Sequence, residues 1–400
     1  MHNSRLGLLA LFVSALLWSP AGFAADKIIA ENLMLMLADD TRIEFFRHME
    51  RIFPVETIEK EEGIPFKFIE FLQPLDISFE FNGRKQSIEE FLKKTTTTNF
   101  LVIKDDQIVY EKYFHGNDRN SLATSMSVAK SFISALVGIA IQEGHIESVE
   151  DNVVDYVPEL KDSGYKGVKI KDLLQMSSGI KYSEIYNDGT SDIIQMIMQL
   201  GSGVSIVDYA SMLENERTPG ESFNYASIDT NVLGMAIKRA TGKNPAEYLE
   251  EKIWKKLGME SNATWCTDNH GNVLTFAYLN VTARDYAKFG RLYLNGGKWR
   301  GEQIVPEKWV MASRHPDKEY LKLKDHYVAG WDIGYQHKWW IPAGDAGEFT
   351  GLGIWGQYVY VNPAKKLIIV KNSVDPEFGV RDRETIAAFR AIGDYLSSDE

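Results

Sequence analysis

The chain has 400 residues, 44% hydrophobic, 12% aromatic and 25% charged, an ordinary globular composition that excludes disordered, collagen-like and coiled-coil classes. Its 56 acidic and 44 basic side chains give a formal charge of −12, dispersed along the chain, so no electrostatic footprint for nucleic acid exists. One cysteine, Cys266, excludes an intrachain disulfide and a cysteine-based zinc site, and the eight histidines include no pair at metal-ligand spacing.

Residues 1–25 combine Arg5, an apolar run from Leu6 to Trp18 and the small-residue stretch Ala21 to Ala25, the three parts of a secretory signal. The run is too short to span about 30 Å of hydrocarbon, and no later segment reaches 18 apolar residues. The expectation is cleavage after Ala24 and a periplasmic or secreted protein with no stable membrane anchor.

Residues 26–95 are charged and mixed, with helical patches such as Ala38 to Ile52, and read as an N-terminal extension packed on a main domain over 96–400. Two β-rich runs, Phe100 to Lys104 and Gln107 to Phe114, flank Asp105-Asp106 and predict a hairpin. Ser127 to Gln142 is apolar on nearly every face, the pattern of a central helix. From about 150 to 315 the signals are mainly helical, with Asn244 and Thr282 as N-caps. Strands return at Tyr327 to Tyr335, Gln357 to Val361 and Leu367 to Lys371, before a helix carrying Ile386, Phe389, Ile392 and Leu396. This order predicts an α/β (α+β) fold with a segregated helical subdomain.

Ser-x-x-Lys occurs three times, at Ser127/Lys130, Ser163/Lys166 and Ser178/Lys181. On a helix, residues i and i+3 share a face, so a lysine amine can reach the serine hydroxyl and act as its base. Only Ser127 opens a long apolar helix, where burial favours a neutral amine and the helix N-terminus favours an oxyanion. Context alone leaves Ser127 as either a capping serine or a nucleophile, and Lys130 as either a solvated residue or a base. Tyr225 and Ser227, two apart before a predicted helix, offer a proton relay and a cap; a tyrosine packed by its ring is the rival reading.

Gly351-Leu-Gly353-Ile-Trp-Gly356 matches Gly-x-Gly-x-x-Gly in letters but continues into an alternating strand, so it is no dinucleotide loop. A glycine-rich strand edge lets substrate approach the backbone, and an N–H near Ile354 can complete an oxyanion hole with that of Ser127.

Taken in order, Ser127-Val-Ala-Lys130, Asp172 to Gly179, Tyr225-Ala-Ser227, Leu257-Gly-Met259, Thr282 to Gly296 and Gly353-Ile-Trp-Gly-Gln357 resemble the serine β-lactamase-related hydrolases over about 97–395. Within that superfamily the chain is most similar to the group of class C β-lactamases, carboxylesterases and 6-aminohexanoate-dimer hydrolases. The resemblance implies a five-stranded antiparallel sheet flanked by helices, an all-helical subdomain and a site between them. It implies Ser127 as the acylated nucleophile, Lys130 as its base, Tyr225 as the relay to the leaving group and Ile354 as the second oxyanion donor. Tyr186 matches a loop tyrosine that contacts substrate; Ser227, Gly353 and Trp355 are further candidate substrate contacts, read from the residues themselves.

Two departures bear on substrate. Gly351-Leu-Gly353 stands where β-lactamases carry Lys-Thr-Gly, removing the cation that grips a β-lactam carboxylate. Ser227 stands where Tyr-x-Asn supplies an amide. The expected activity is therefore hydrolysis of a small-molecule ester or linear amide without a cofactor. A D-amino-acid or cell-wall peptidase, a weak β-lactamase and an inactive envelope-binding protein are the rivals. Trp331, Trp339, Trp340 and Trp355 are either an acyl pocket or core.

Overall fold

The computed structural model describes Met36, Ala38 and residues 41–326 and 332–398. Residues 1–25, where a secretory signal is expected, the start of the strand predicted from Tyr327, and Trp331 lie outside the described residues.

A nine-stranded sheet organises the chain. Its strands are β1 (Ile69–Glu70), β2 (Thr97–Lys104), β3 (Gln107–Tyr113), β4 (Lys324–Asp325), β5 (Asp332–Gln336), β6 (Trp339–Pro342), β7 (Phe349–Gly353), β8 (Gln357–Asn362) and β9 (Leu367–Ser373). They lie in the order β4-β5-β6-β7-β8-β9-β2-β3-β1. Every pairing is antiparallel except that of β1 with β3. The class is as expected, but the sheet exceeds the five antiparallel strands implied by the resemblance. Part of the excess is the two-residue edge strands β1 and β4, too short to carry an alternation that sequence can show.

The β2–β3 hairpin turns at Asp105 and Asp106, whose φ values of 49° and 62° match the twist that two-residue turns require. Period-two alternation then sorts the strand side chains. Leu101, Ile103, Val359, Val361, Ile368 and Val370 join the core on one face, and Phe100, Val102, Tyr358, Tyr360, Leu367 and Ile369 that on the other.

The second face is covered by helix Phe378–Tyr395, through Ile386, Phe389 and Ile392, with Leu396 at its C-cap. The first is covered by helix Ala283–Leu294, capped by the Thr282 side chain as read from sequence. A Cβ at Gly290 would lie 2.9 Å from Ile368 Cγ2, so glycine permits the close approach of that helix to the sheet. Helix α2 (Ala129–Gln142) is buried on nearly every side, and its Phe132 ring stacks on Phe289 with centroids 3.7 Å apart.

Residues 150–315 hold helices Asp192–Gly201, Ile206–Ser211, α3 (Ser227–Thr241) and Pro245–Leu249, the last capped by Asn244. They also hold strands Ala263–Cys266 and Leu279–Val281. These form a four-stranded antiparallel sheet with Val55–Ile58 of the N-terminal segment and Ala123–Thr124. That N-terminal segment also contributes helix α1 (Arg42–Arg47) and strand β1.

Candidate active site

Ser127 sits in the single turn Met126–Val128 that leads into α2. Its neighbour Met126 is held at φ 42°, a left-handed conformation that a non-glycine residue adopts only when its surroundings impose it. They do: Ser125 N–H donates to the Leu279 carbonyl at 2.8 Å and Ser125 Oγ accepts from Leu279 N–H at 3.0 Å. The N-cap position of α2 is Val128, and that of the preceding turn is Ser125, so Ser127 is the cap of neither. Ser127 is partly exposed, whereas Lys130, one turn on, is buried.

Lys130 Nζ lies 2.8 Å from Ser127 Oγ and donates to the Phe276 carbonyl at 2.8 Å. With that carbonyl taking an amine hydrogen, the lone pair of a neutral amine is free for the serine proton. Burial drives Lys130 toward that neutral form, down to about 8, against the opposing charge of Glu184. The Phe276 loop is itself fixed by α3, through Asn231 Oδ1 accepting from Phe276 N–H at 3.2 Å and the Thr230 carbonyl accepting from Thr275 Oγ1 at 2.9 Å.

Tyr225 precedes α3, and its ring centroid is 5.2 Å from Lys130 Nζ. It stacks on Trp340 at 5.6 Å and meets Tyr335 edge-on at 6.1 Å, so both the packed ring and the proximity to the Ser127–Lys130 pair hold for the same residue. Asn224 N–H donates to the Met176 carbonyl at 2.7 Å and anchors this turn to the 176–179 loop.

Strand β7 closes the site from the other side. A Cβ at Gly353 would stand 2.9 Å from Ser127 N and 2.7 Å from the Ser125 carbonyl, so the strand end lies flush against the serine turn. Ile354 follows directly, in the hairpin loop between β7 and β8.

Sequence reasoning missed Glu184. This buried carboxylate accepts from Ser227 N–H and Ser227 Oγ, both at 2.7 Å, and from the Tyr186 hydroxyl. Ser227 is thus not the cap of α3: the cap position is Ala226, and the Ser227 hydroxyl is committed to Glu184. Burial and this carboxylate hold the Tyr186 phenol well above its usual range. Glu184 occupies the acidic stretch that contains Tyr186, but only burial beside Ser227 distinguishes it from a surface glutamate.

Lys338 was also missed. It occupies the tight β5–β6 turn, with His337 and Lys338 both left-handed, and its carbonyl accepts from Ser131 Oγ of α2 at 2.8 Å. Its buried amine lies 3.1 Å from Met176 Sδ and, through burial first, is held down to about 7. Asp229 of α3, the opposite charge nearest in effect, is pushed up to about 7 by its own burial.

The structure thus gathers Ser127, Lys130, Tyr225 and Gly353 around one point, with Glu184 joining Tyr186 and Ser227 alongside. The Trp355 ring turns instead toward α1, under Arg42 and Phe46. Trp339 is core, between Tyr293 and Phe349, whereas Trp340 backs Tyr225. Ser163/Lys166 and Ser178/Lys181, beside Gly164 and Gly179, lie outside helices.

The family model "Beta-lactamase" matches residues 85–391. The 6-aminohexanoate-dimer hydrolase of Paenarthrobacter ureafaciens is 31% identical over 305 residues, covering 74% of this chain and 76% of its own. A Bacillus anthracis structure put forward as a 6-aminohexanoate-dimer hydrolase superposes with a TM-score of 0.79 at 27% identity, over 91% of this chain and 96% of that one. A family VIII carboxylesterase shares the fold at a TM-score of 0.56 and 19% identity, over 76% of this chain and 95% of its own.

Proposed function

Because the chain belongs to the β-lactamase family and is a serine hydrolase of the esterase and amidase kind, we propose that it is exported and cleaves an ester or linear amide through an acyl-enzyme on Ser127. The observation that carries this reading is the 2.8 Å approach of the buried Lys130 amine to a partly exposed Ser127 hydroxyl. Neutral Lys130 takes the Ser127 proton as Oγ bonds to the substrate carbonyl carbon. The backbone N–H groups of Ser127 and Ile354 hold the oxyanion. The C–O or C–N bond then breaks, Tyr225 passing a proton to the departing oxygen or nitrogen. Water attacks the acyl-enzyme by the reverse roles, releasing the acid and restoring the Ser127 hydroxyl.

Charge and shape support this substrate class. At the strand position of the β-lactam-gripping lysine stands Gly351, where a Cβ would lie 3.2 Å from Val128 Cγ1 of the serine turn and 3.3 Å from Ser131 Oγ of α2. Glu184 occupies the neighbourhood of Ser227, placing an acceptor where an amide would have offered a donor and an acceptor. Such a site favours an uncharged or amino-bearing chain over an anionic β-lactam, as in the hydrolysis of 6-aminohexanoate dimer after which the relative from Paenarthrobacter is named. Tyr186, Ser227 and Gly353 are the proposed substrate contacts, and the segment 1–25 is the proposed export signal. A panel of p-nitrophenyl acyl esters, the 6-aminohexanoate dimer, a D-alanyl-D-alanine peptide and a chromogenic cephalosporin tests the class. Turnover of the ester or linear amide well above the other two is expected; turnover confined to the cephalosporin or the D-peptide contradicts it.

A further inference from the structure

The loop Ile354-Trp355-Gly356 connects β7 to β8, and its first residue is the proposed second oxyanion donor. The next, Trp355, has φ 66°, a left-handed conformation that a bulky side chain does not hold unaided, and Gly356 follows at 82°. Two sets of contacts hold it. On the sheet side, the Trp355 carbonyl accepts from Ser373 Oγ at 2.9 Å and from Asp375 N–H at 3.0 Å, while the Gly356 carbonyl accepts from Ser373 Oγ at 2.7 Å. On the other side stands α1. The buried Arg42 guanidinium lies 3.9 Å from the centroid of the Trp355 ring, and the buried Phe46 ring meets it edge-on, centroids 6.2 Å apart.

Arg42 and Phe46 are four residues apart, so they present one face of α1 to one indole. The helix is also tethered to the body of the protein: Arg47 donates to the His115 carbonyl, beyond β3, at 2.9 Å. An N-terminal segment that holds none of the candidate catalytic residues therefore touches the residue adjoining the proposed oxyanion hole. We propose that α1 is a clamp on that hole: Arg42 and Phe46 are positioning residues that hold Trp355 left-handed and so fix the direction of the Ile354 N–H. The proposal rests on the reading of Ser127 and Ile354 given above.

The test measures the rate at which a fluorophosphonate, whose phosphoryl oxygen occupies the oxyanion position, modifies Ser127 in the full chain. Arg42→Ala should slow modification about tenfold, a fraction of the roughly 10²- to 10³-fold cost of losing an oxyanion donor outright. It should lower kcat on a p-nitrophenyl ester by a similar factor with KM within twofold. Arg42→Lys keeps a cation for the ring face and should stay within about threefold of the parent. Trp355→Gly can still fold, because glycine reaches the left-handed backbone, but it loses the ring that α1 grips and leaves the loop free to depart from that conformation, so it should be as slow as Arg42→Ala. Arg42→Ala and Trp355→Gly proteins that are folded by circular dichroism and react at the parent rate would overturn the clamp, as would Arg42→Lys as slow as Arg42→Ala. Parent protein that takes no label at Ser127 would instead refute the nucleophile reading, and the clamp with it.

Discussion

Replacing Gly353 with alanine probes the fit between strand β7 and the serine turn. The backbone at Gly353 lies outside the left-handed region, so a methyl group costs nothing in torsion and acts only through what it meets. It would meet the Ser125 carbonyl at 2.7 Å, Ser127 N at 2.9 Å and Met126 Cβ at 3.0 Å. Ordinary contacts to carbon begin near about 3.5 Å, so strand and turn must part by roughly half an ångström or more. None of the three atoms sits at the end of a flexible side chain, and the turn is pinned by the Ser125–Leu279 pair. A displacement of about 1 Å in a catalytic array costs on the order of 10²-fold, so kcat/KM on an ester should fall roughly 10- to 100-fold. Overpacking should cost about 1–3 kcal/mol in stability, read from urea unfolding. A folded Gly353→Ala protein with kcat/KM within twofold of the parent would refute the argument that β7 and the serine turn form one rigid site.

The pH profile of kcat/KM reports Lys130: its amine must be neutral, burial places its titration at about 8, and activity should fall as pH drops through that value. Glu184 favours the ammonium, so Glu184→Gln should move the acid limb to lower pH; movement upward would contradict the assignment. Lys130→Met should cut kcat by about 10²- to 10⁴-fold, yet not lower the thermal midpoint, because an apolar chain fills a buried site without the cost of desolvating an amine. On the far face of the sheet, Phe389 packs against Phe100, Tyr358 and Tyr360. Phe389→Ala should cost about 3–5 kcal/mol by urea unfolding with turnover per folded molecule unchanged, and a loss below about 1 kcal/mol would show that this face is not closely packed.

The parts of the site that sequence revealed are those whose geometry is local. Ser127 and Lys130 share a helical face by spacing, and the continuous apolar run around them announces the burial that makes the amine useful. The β2–β3 hairpin was legible because its alternation and acidic turn lie within 20 residues. Glu184 and Lys338 were not, since each is an ordinary charged residue in a polar stretch until tertiary packing buries it beside Ser227 or Met176. The same is true of Ser227, where a capping pattern gave way to a carboxylate 43 residues earlier in the chain. Arg42 and Trp355 meet across more than 300 residues, a pairing that no local signal carries.

The central claim, that Ser127 is a lysine-activated nucleophile, is tested most directly by intact-protein mass after fluorophosphonate treatment of the parent and of Ser127→Ala. One adduct on the parent and none on the variant is the expected result. An adduct that survives Ser127→Ala, or none on folded parent protein, would contradict it.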